Sequence, residues 1–419
     1  MPVFFIHLIS NQINMRNQTG ILLAKLLCMF LSISLIFSSC KKEGDEVPEE
    51  PEVIIPETTK VISEESWQEN IIAVDSLDWT LRFEESIGQE YDLEAGDIII
   101  SAEGEGLLRK ITSIEQDGDK LIIETTQAAL TEAVEKGSFE FSEELQYPEK
   151  DLKIEYLREG VELSQVETRE GEDVQFTLSV NVPVHEHVSI TGELGINPAI
   201  SGKSEIVKYE LKYLEFNFDI EEQLDLVTEI TLASLELEKE VPLAKITFPT
   251  ITVMMGPVPV TLTPVFTVKV GVNIGVSSTV TSGVTQDLEI LTSVVYENGD
   301  WSTSYELDKG FDNIPPALNN TAEAKAYIKP QLDVKIYGII SPNVSTPLYG
   351  LLEAELGASP WWSLYAGLSA DVGVKVKVLV FTLADFNANI FDLRYLIAEA
   401  SGSNTNPIPV FTVEPESGD

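Results

Sequence analysis

The chain has 419 residues, with 69 Asp and Glu against 27 Lys and Arg, for a net charge of −42. Such an acid excess excludes a general binder of phosphate backbones, which needs clustered cations. Apart from the run EGDEVPEEPE the acid is dispersed, as on solvated faces. The two cysteines are Cys28 and Cys40, so the sequence beyond them holds no disulfide framework, thiolate zinc site or thiol nucleophile.

At the N-terminus, Arg16 and Lys25 precede the apolar run LLCMFLSISLIF. It is too short to cross a bilayer core of ~30 Å, which takes roughly 20 residues, but suits the apolar region of an export signal. Small residues then lead to Cys40 in LIFSSCKKEGDE. This pattern resembles a bacterial lipoprotein signal, with Phe37 where Leu is usual. The resemblance implies cleavage between Ser39 and Cys40 and lipid on Cys40. Residues 1–39 are then the signal peptide, and Met15 is a better start for it than Met1. Residues 40–62 read as the lipidated cysteine and an acidic, Pro-rich tether. The charges just after Cys40 resemble the export signals of surface lipoproteins of Bacteroidota.

Residues 63–148 read as a small β-domain with one short helix. Asp117-Gly118 between apolar runs predicts a hairpin whose two central residues both take positive φ. TTQAALTEAVEKG predicts the helix, capped at Thr125 or Thr126 and stopped at Gly137. The stretch from GDIIIS to GSFEF resembles a module of large secreted bacterial proteins of unassigned function, which implies an extracytoplasmic location and brings no activity with it.

Between Lys245 and Lys269 lies a run without charge. Pro249, Pro257, Pro259 and Pro264 exclude a spanning helix, since each costs a helix interior about 3 kcal/mol. Parity points to strand instead. Leu262, Phe266, Val268, Val270, Val272, Ile274 and Val276 are even-numbered, whereas Thr261, Thr263, Thr267, Lys269, Asn273 and Ser277 are odd. The run MGPVPV is then a connection or strand edge. The same alternation places Leu214, Phe216, Phe218, Ile220, Leu224, Leu226, Ile230 and Leu232 against Glu215, Asp219, Glu221 and Asp225. It recurs in AKAYIKPQLDVKIYGII and in SLYAGLSADVGVKVKVLVF, and Asn298-Gly299 marks a further hairpin. These runs are two to three times the usual ~5–6 residues of a strand. Residues 149–400 therefore read as one large antiparallel β-sandwich or barrel whose apolar faces must be covered. Residues 401–419 read as a linker, and VFTVEPESGD resembles the first strand of a PKD-like or Ig-like module.

Few residues carry a chemical signal. His185 and His187, two apart in VPVHEHVSI, fall on one strand face and are weak metal candidates without a third ligand. No HExxH and no Gly-x-Ser-x-Gly elbow occurs. A carboxylate-based hydrolase stays conceivable only because paired acids are unavoidable among 69. Trp361 and Trp362 are weak ligand or interface candidates, with anchoring at a sheet edge as the plainer role. The fold class expected is all-β with minor α. The function expected is a lipid-anchored, extracytoplasmic structural, adhesion or presentation protein, without catalysis or cofactors. It is held to the outer membrane by lipid, on the cell surface or periplasmic face. Nucleic acid is not among its partners, and any protein, glycan or lipid partner is left open. The alternative is a carrier enclosing a hydrophobic ligand between long sheets.

Overall fold

The computed structural model describes residues 52–75, 78–146, 152–167, 174–232, 234–318, 320–375 and 385–402. The signal segment, Cys40, most of the tether and residues 403–419 lie outside them. The protein is all-β with minor helix.

The first sheet has six strands: β1 (Thr59–Val61), β2 (Ile71–Asp75), β3 (Thr80–Glu84), β4 (Ile98–Ser101), β5 (Leu107–Asp117) and β6 (Lys120–Gln127), in the order β1-β4-β5-β6-β3-β2. Asp117 and Lys120 close the expected hairpin. Of its two central residues only Gly118 has a positive φ, +69°, so glycine leads the turn and both-positive geometry is not used. Among the described residues there are three short helices rather than one: α1 (Glu64–Asn70), α2 (Glu85–Tyr91) and α3 (Leu130–Ala133). The Ser63 hydroxyl caps α1 by accepting from the Ser66 N–H at 3.1 Å, with Glu64 and Glu65 in the first turn. The helix expected over 125–137 shrinks to a single turn. Thr125 and Thr126 instead pair with Ile111 and Lys110 of β5, and the Thr125 hydroxyl donates to Trp79 O at 2.7 Å. Strand pairing thus occupies the backbone that helix bonds need.

One face of this sheet packs on α1 and α2 around Trp67, Phe83, Ile87 and Ile123. Trp67 and Phe83 meet edge to face at 5.2 Å. The other face, with Ile98, Ile100 and Leu108, merges into the main core.

That core lies between two larger sheets. The seven-stranded sheet holds β7 (Lys136–Glu144), β9 (Val161–Glu167), β10 (Val174–His185), β11 (Val188–Val207), β12 (Glu210–Ile230), β16 (Val280–Glu297) and β17 (Asp300–Ala317). The nine-stranded sheet holds β8 (Lys153–Tyr156), β13 (Leu235–Thr247), β14 (Ile251–Met255), β15 (Val258–Val276), β18 (Ala322–Ile336), β19 (Ile339–Ser345), β20 (Leu348–Ala354), β21 (Trp362–Val374) and β22 (Phe386–Glu399). All pairings in both are antiparallel. Lys136–Glu144, which the sequence groups with the small domain, extends the large sheet by pairing with β11.

Several strands share a lane end to end. β19 and β20 both lie beside β18, separated at Thr346-Pro347. β13 and β14 lie likewise beside β15. No ladder joins the two sheets among the described residues, so they form a sandwich rather than a closed barrel. On one side the edge strands β17 and β22 meet through rings. Trp301 lies 4.8 Å from Phe386, Tyr305 4.7 Å from Phe391, and Phe311 5.2 Å from Tyr395.

The strands are long because alternation persists. β12 has 21 residues, roughly 70 Å at the rise of a strand. Its even-numbered residues from Leu214 to Ile230 all face inward and are buried. Each large apolar side chain so buried is worth about 1.5–3 kcal/mol. Leu232 belongs to the chain beyond β12 and is exposed. Val376 and Val378, expected to continue the β21 rank, lie outside the described residues.

The uncharged run is strand and turn. Gly256 (φ +57°) and Pro257 connect β14 to β15, and Asn298-Gly299 turns with both φ positive, as expected. No helix among the described residues is long and apolar enough to cross a membrane. One expectation fails here. Thr261 and Thr263, assigned to the wet face, are buried. The loop after β4 covers that end of β15: Thr261 Oγ1 donates to Glu105 O at 2.9 Å, and Lys335 Nζ bonds Glu105 Oε1 at 3.1 Å.

Candidate functional site

Cys40 lies outside the described residues, so the lipidation site has no geometry. The two histidines do not share a strand face. His185 ends β10 and His187 belongs to the turn into β11. Their rings are still 5.8 Å apart, but His185 Nδ1 accepts the His187 N–H at 3.3 Å. His187 Nε2 stands 3.6 Å from Glu186 Oε1. Among the described residues no three His, Cys, Asp or Glu side chains are placed to hold a metal ion.

Trp361 precedes and Trp362 opens β21 at the end of the nine-stranded sheet, both half-buried. Trp362 packs against the main core, and its carbonyl accepts from Ala400 N at 3.0 Å. Trp361 bridges loops, accepting from Glu355 N at 2.8 Å and donating to Gly402 O at 3.2 Å.

Among the described residues the sandwich interior is packed with apolar side chains. Two small spaces between the sheets measure about 20 and 10 Å³, room for a water at most. Larger hollows of about 370 and 530 Å³ open outward at the surface.

Inside this packed layer stands one polar station that parity reasoning passed over. Glu222 occupies an inward position of β12 between Ile220 and Leu224 and is 1% exposed. Its Oε1 accepts from Thr346 Oγ1 of the facing sheet at 2.6 Å, while its Oε2 has no partner. Burial pushes its carboxyl up to about 8, against a small opposing effect of the Thr346 bond. Beside it, Gln286 of β16 donates from Nε2 to Tyr349 O at 3.1 Å, leaving its own Oε1 unpartnered. The signal was available: Glu222 and Gln286 are even-numbered in strands whose even residues are mostly apolar.

A second buried charge lies in the small sheet. Arg109 is 6% exposed, and burial lowers its guanidinium to about 10. It donates to Thr125 Oγ1 (3.1 Å), Gln127 Oε1 (2.9 Å) and Thr125 O (3.2 Å). The Trp79 ring covers it at 4.5 Å, with Trp79 itself in the left-handed region at φ 58°.

The two outer faces of the sandwich differ. On the seven-stranded sheet Glu221, Glu289 and Asp308 sit directly opposite one another on β12, β16 and β17. With Asn197 and Asp287 they line the 370 Å³ hollow. Nearby Asp219 has its carboxyl raised, by burial first and then by Glu221. The outer face of the nine-stranded sheet pairs its charges, as in Lys269–Glu240 at 3.1 Å and Arg394–Glu353 at 3.1 Å. There Lys325 lies 3.8 Å over Tyr349, and Arg394 3.7 Å over Tyr365.

Neither a protein-family model, nor a curated protein, nor a solved structure matches this chain.

Proposed function

We propose that this protein is a lipid-anchored, extracytoplasmic β-module that serves structure, adhesion or presentation without catalysis. Lipid on Cys40 attaches it to the outer membrane, and the acidic tether sets the module away from the bilayer. The observation that carries this reading is the filled interior. Among the described residues the spaces between the two sheets of unusually long strands are too small for a ligand, so strand length supplies a stiff body rather than a container. The carrier alternative needs an enclosed volume in the hundreds of Å³, and the spaces between the sheets fall far below that. The paired charges and capped rings on one face, and the clustered acid on the other, are surface features suited to solvation and contact.

Two measurements test it. Cys40→Ala should abolish membrane association and incorporation of a labelled fatty acid while leaving the β-sheet circular dichroism unchanged. A Cys40→Ala protein that still pellets with membranes overturns the anchor. Organic extraction of the purified module should yield no stoichiometric apolar compound, and recovery of one overturns the structural reading in favour of the carrier.

A further inference from the structure

We propose that Glu222 and Thr346 form a proton-dependent latch between the two sheets, tighter when the carboxyl is protonated and looser when it is not. The geometry singles out this place. Bridges from Glu222 and Gln286 both land on one lane of the facing sheet, at Thr346 and Tyr349, on either side of Pro347. That lane is the one interrupted between β19 and β20. Proline has no N–H to give, so the neighbouring backbone is held by few bonds. Thr346 N donates to Pro330 O at 3.2 Å, and Ser369 N to Pro347 O at 3.1 Å. The latch therefore fastens the sandwich at a break in the ladder.

The surroundings make its proton count. In register with Glu222 stand Ile196 on β11 and Leu288 on β16. The inward side chains of the facing strands at this level include Val268 on β15, Ile328 and Leu332 on β18, and Leu368 on β21, all buried and apolar. The nearest charged groups of those strands, Lys269, Lys329 and Asp333, hold the opposite parity and project from the outer face. Within its own sheet, Lys309 of β17 stands two strands from Glu222 at the same level, in register with Leu288, and its Nζ lies 5.0 Å over the Tyr395 ring. A protonated carboxyl accepts the Thr346 hydroxyl at little electrostatic cost. A carboxylate there is a buried charge with one donor and an orphan oxygen. Opening the lane admits water, which solvates the carboxylate once its proton has left for solvent.

The sign follows from proton affinity. The closed form holds its proton up to about pH 8, whereas an opened, hydrated carboxyl releases it in the ordinary carboxylate range. Between those limits each unit of rising pH lowers the closed-to-open ratio about tenfold, and outside them the ratio levels off.

Hydrogen exchange followed by mass spectrometry on the whole chain tests this. For peptides spanning residues 339–354, between pH 5 and 8 and after correction for intrinsic exchange, wild-type protection should fall about tenfold per pH unit. In E222Q, which cannot ionise, the same peptides should show a flat profile. Asp333 remains in that variant, so the difference belongs to Glu222. An E222Q profile as steep as wild type overturns the latch. Should E222Q fail to fold, E222L, whose side chain suits the apolar layer, must give the flat profile. The infrared spectrum of the wild type at pH 6.5 must also carry the carbonyl band of a protonated carboxyl, and its absence overturns the proposal.

Discussion

The two sheets of the sandwich follow the same alternation and share one core, but they treat their outer faces oppositely. On the seven-stranded sheet, Glu221, Glu289 and Asp308 form a row of like charges across three strands. Directly opposed like charges destabilise a sheet. On the nine-stranded sheet the outer positions are spent on contacts within the face. Tyr327 lies flat over Gly271 and Tyr349 over Gly367, so closely that a Cβ at either glycine would overlap the ring. Tyr327 in turn donates to Glu240 at 3.1 Å, and burial, then Glu240, pushes its phenol up to about 12. One end of this sheet also meets the small six-stranded sheet, whose loop after β4 bonds the buried Thr261, while the buried Thr263 shares a hydrogen bond with Thr250. The lesson is that a two-residue rhythm specifies which side chains face out, while their energetic value depends on what else reaches that face.

The largest effect should come from the common core. Phe218→Ala in β12 and Phe266→Ala in β15 should each cost about 3–5 kcal/mol, read as urea unfolding free energies. Similar losses are expected because both rings lie in one buried layer. A loss confined to one sheet would mean the two unfold separately.

A smaller effect tests the covered end of the nine-stranded sheet. Thr261→Val keeps the shape but removes the donor to Glu105 O, and should cost about 1–2 kcal/mol. The equivalent Thr→Val exchange at Thr285, whose hydroxyl donates at 2.7 Å to Asp225 on the exposed acidic face, should cost less than half as much. Equal costs would show that the small sheet adds nothing to that end.

The smallest effects separate the outer faces by sign. Glu289→Gln relieves the acid row and should stabilise by about 0.2–1 kcal/mol at low salt, with the gain vanishing near 1 M salt. Glu240→Gln removes the partner of Lys269 and Tyr327 and should destabilise by up to about 1 kcal/mol. Urea midpoints at two ionic strengths check both. The same sign for the two substitutions would erase the contrast between the faces.

Much of this architecture is legible in single residues. The proline-bearing uncharged run is strand because its even positions are apolar, and Asn298-Gly299 turns because both residues tolerate positive φ. Where reading failed, a distant segment intervened. Thr125 and Thr126 cap no helix because β5 offers them a ladder. The His185–His187 spacing suggests one face, but a turn begins between them. Glu222 was readable as a polar residue in an apolar rank, whereas its partner Thr346 is 124 residues away and could not be.

The amino-acid order by itself determined the all-β class, the length of the strands and the side of each that faces inward. These are local properties, since the pleat sends successive side chains to opposite faces whatever lies beyond. Only the tertiary structure decided that the two ladders stack as a sandwich, that threonines on a wet rank are covered, and that a lone carboxyl meets a hydroxyl at the centre. Those outcomes depend on which surfaces remote parts of the chain bring together, and burial is a property of the pair, not of either residue alone.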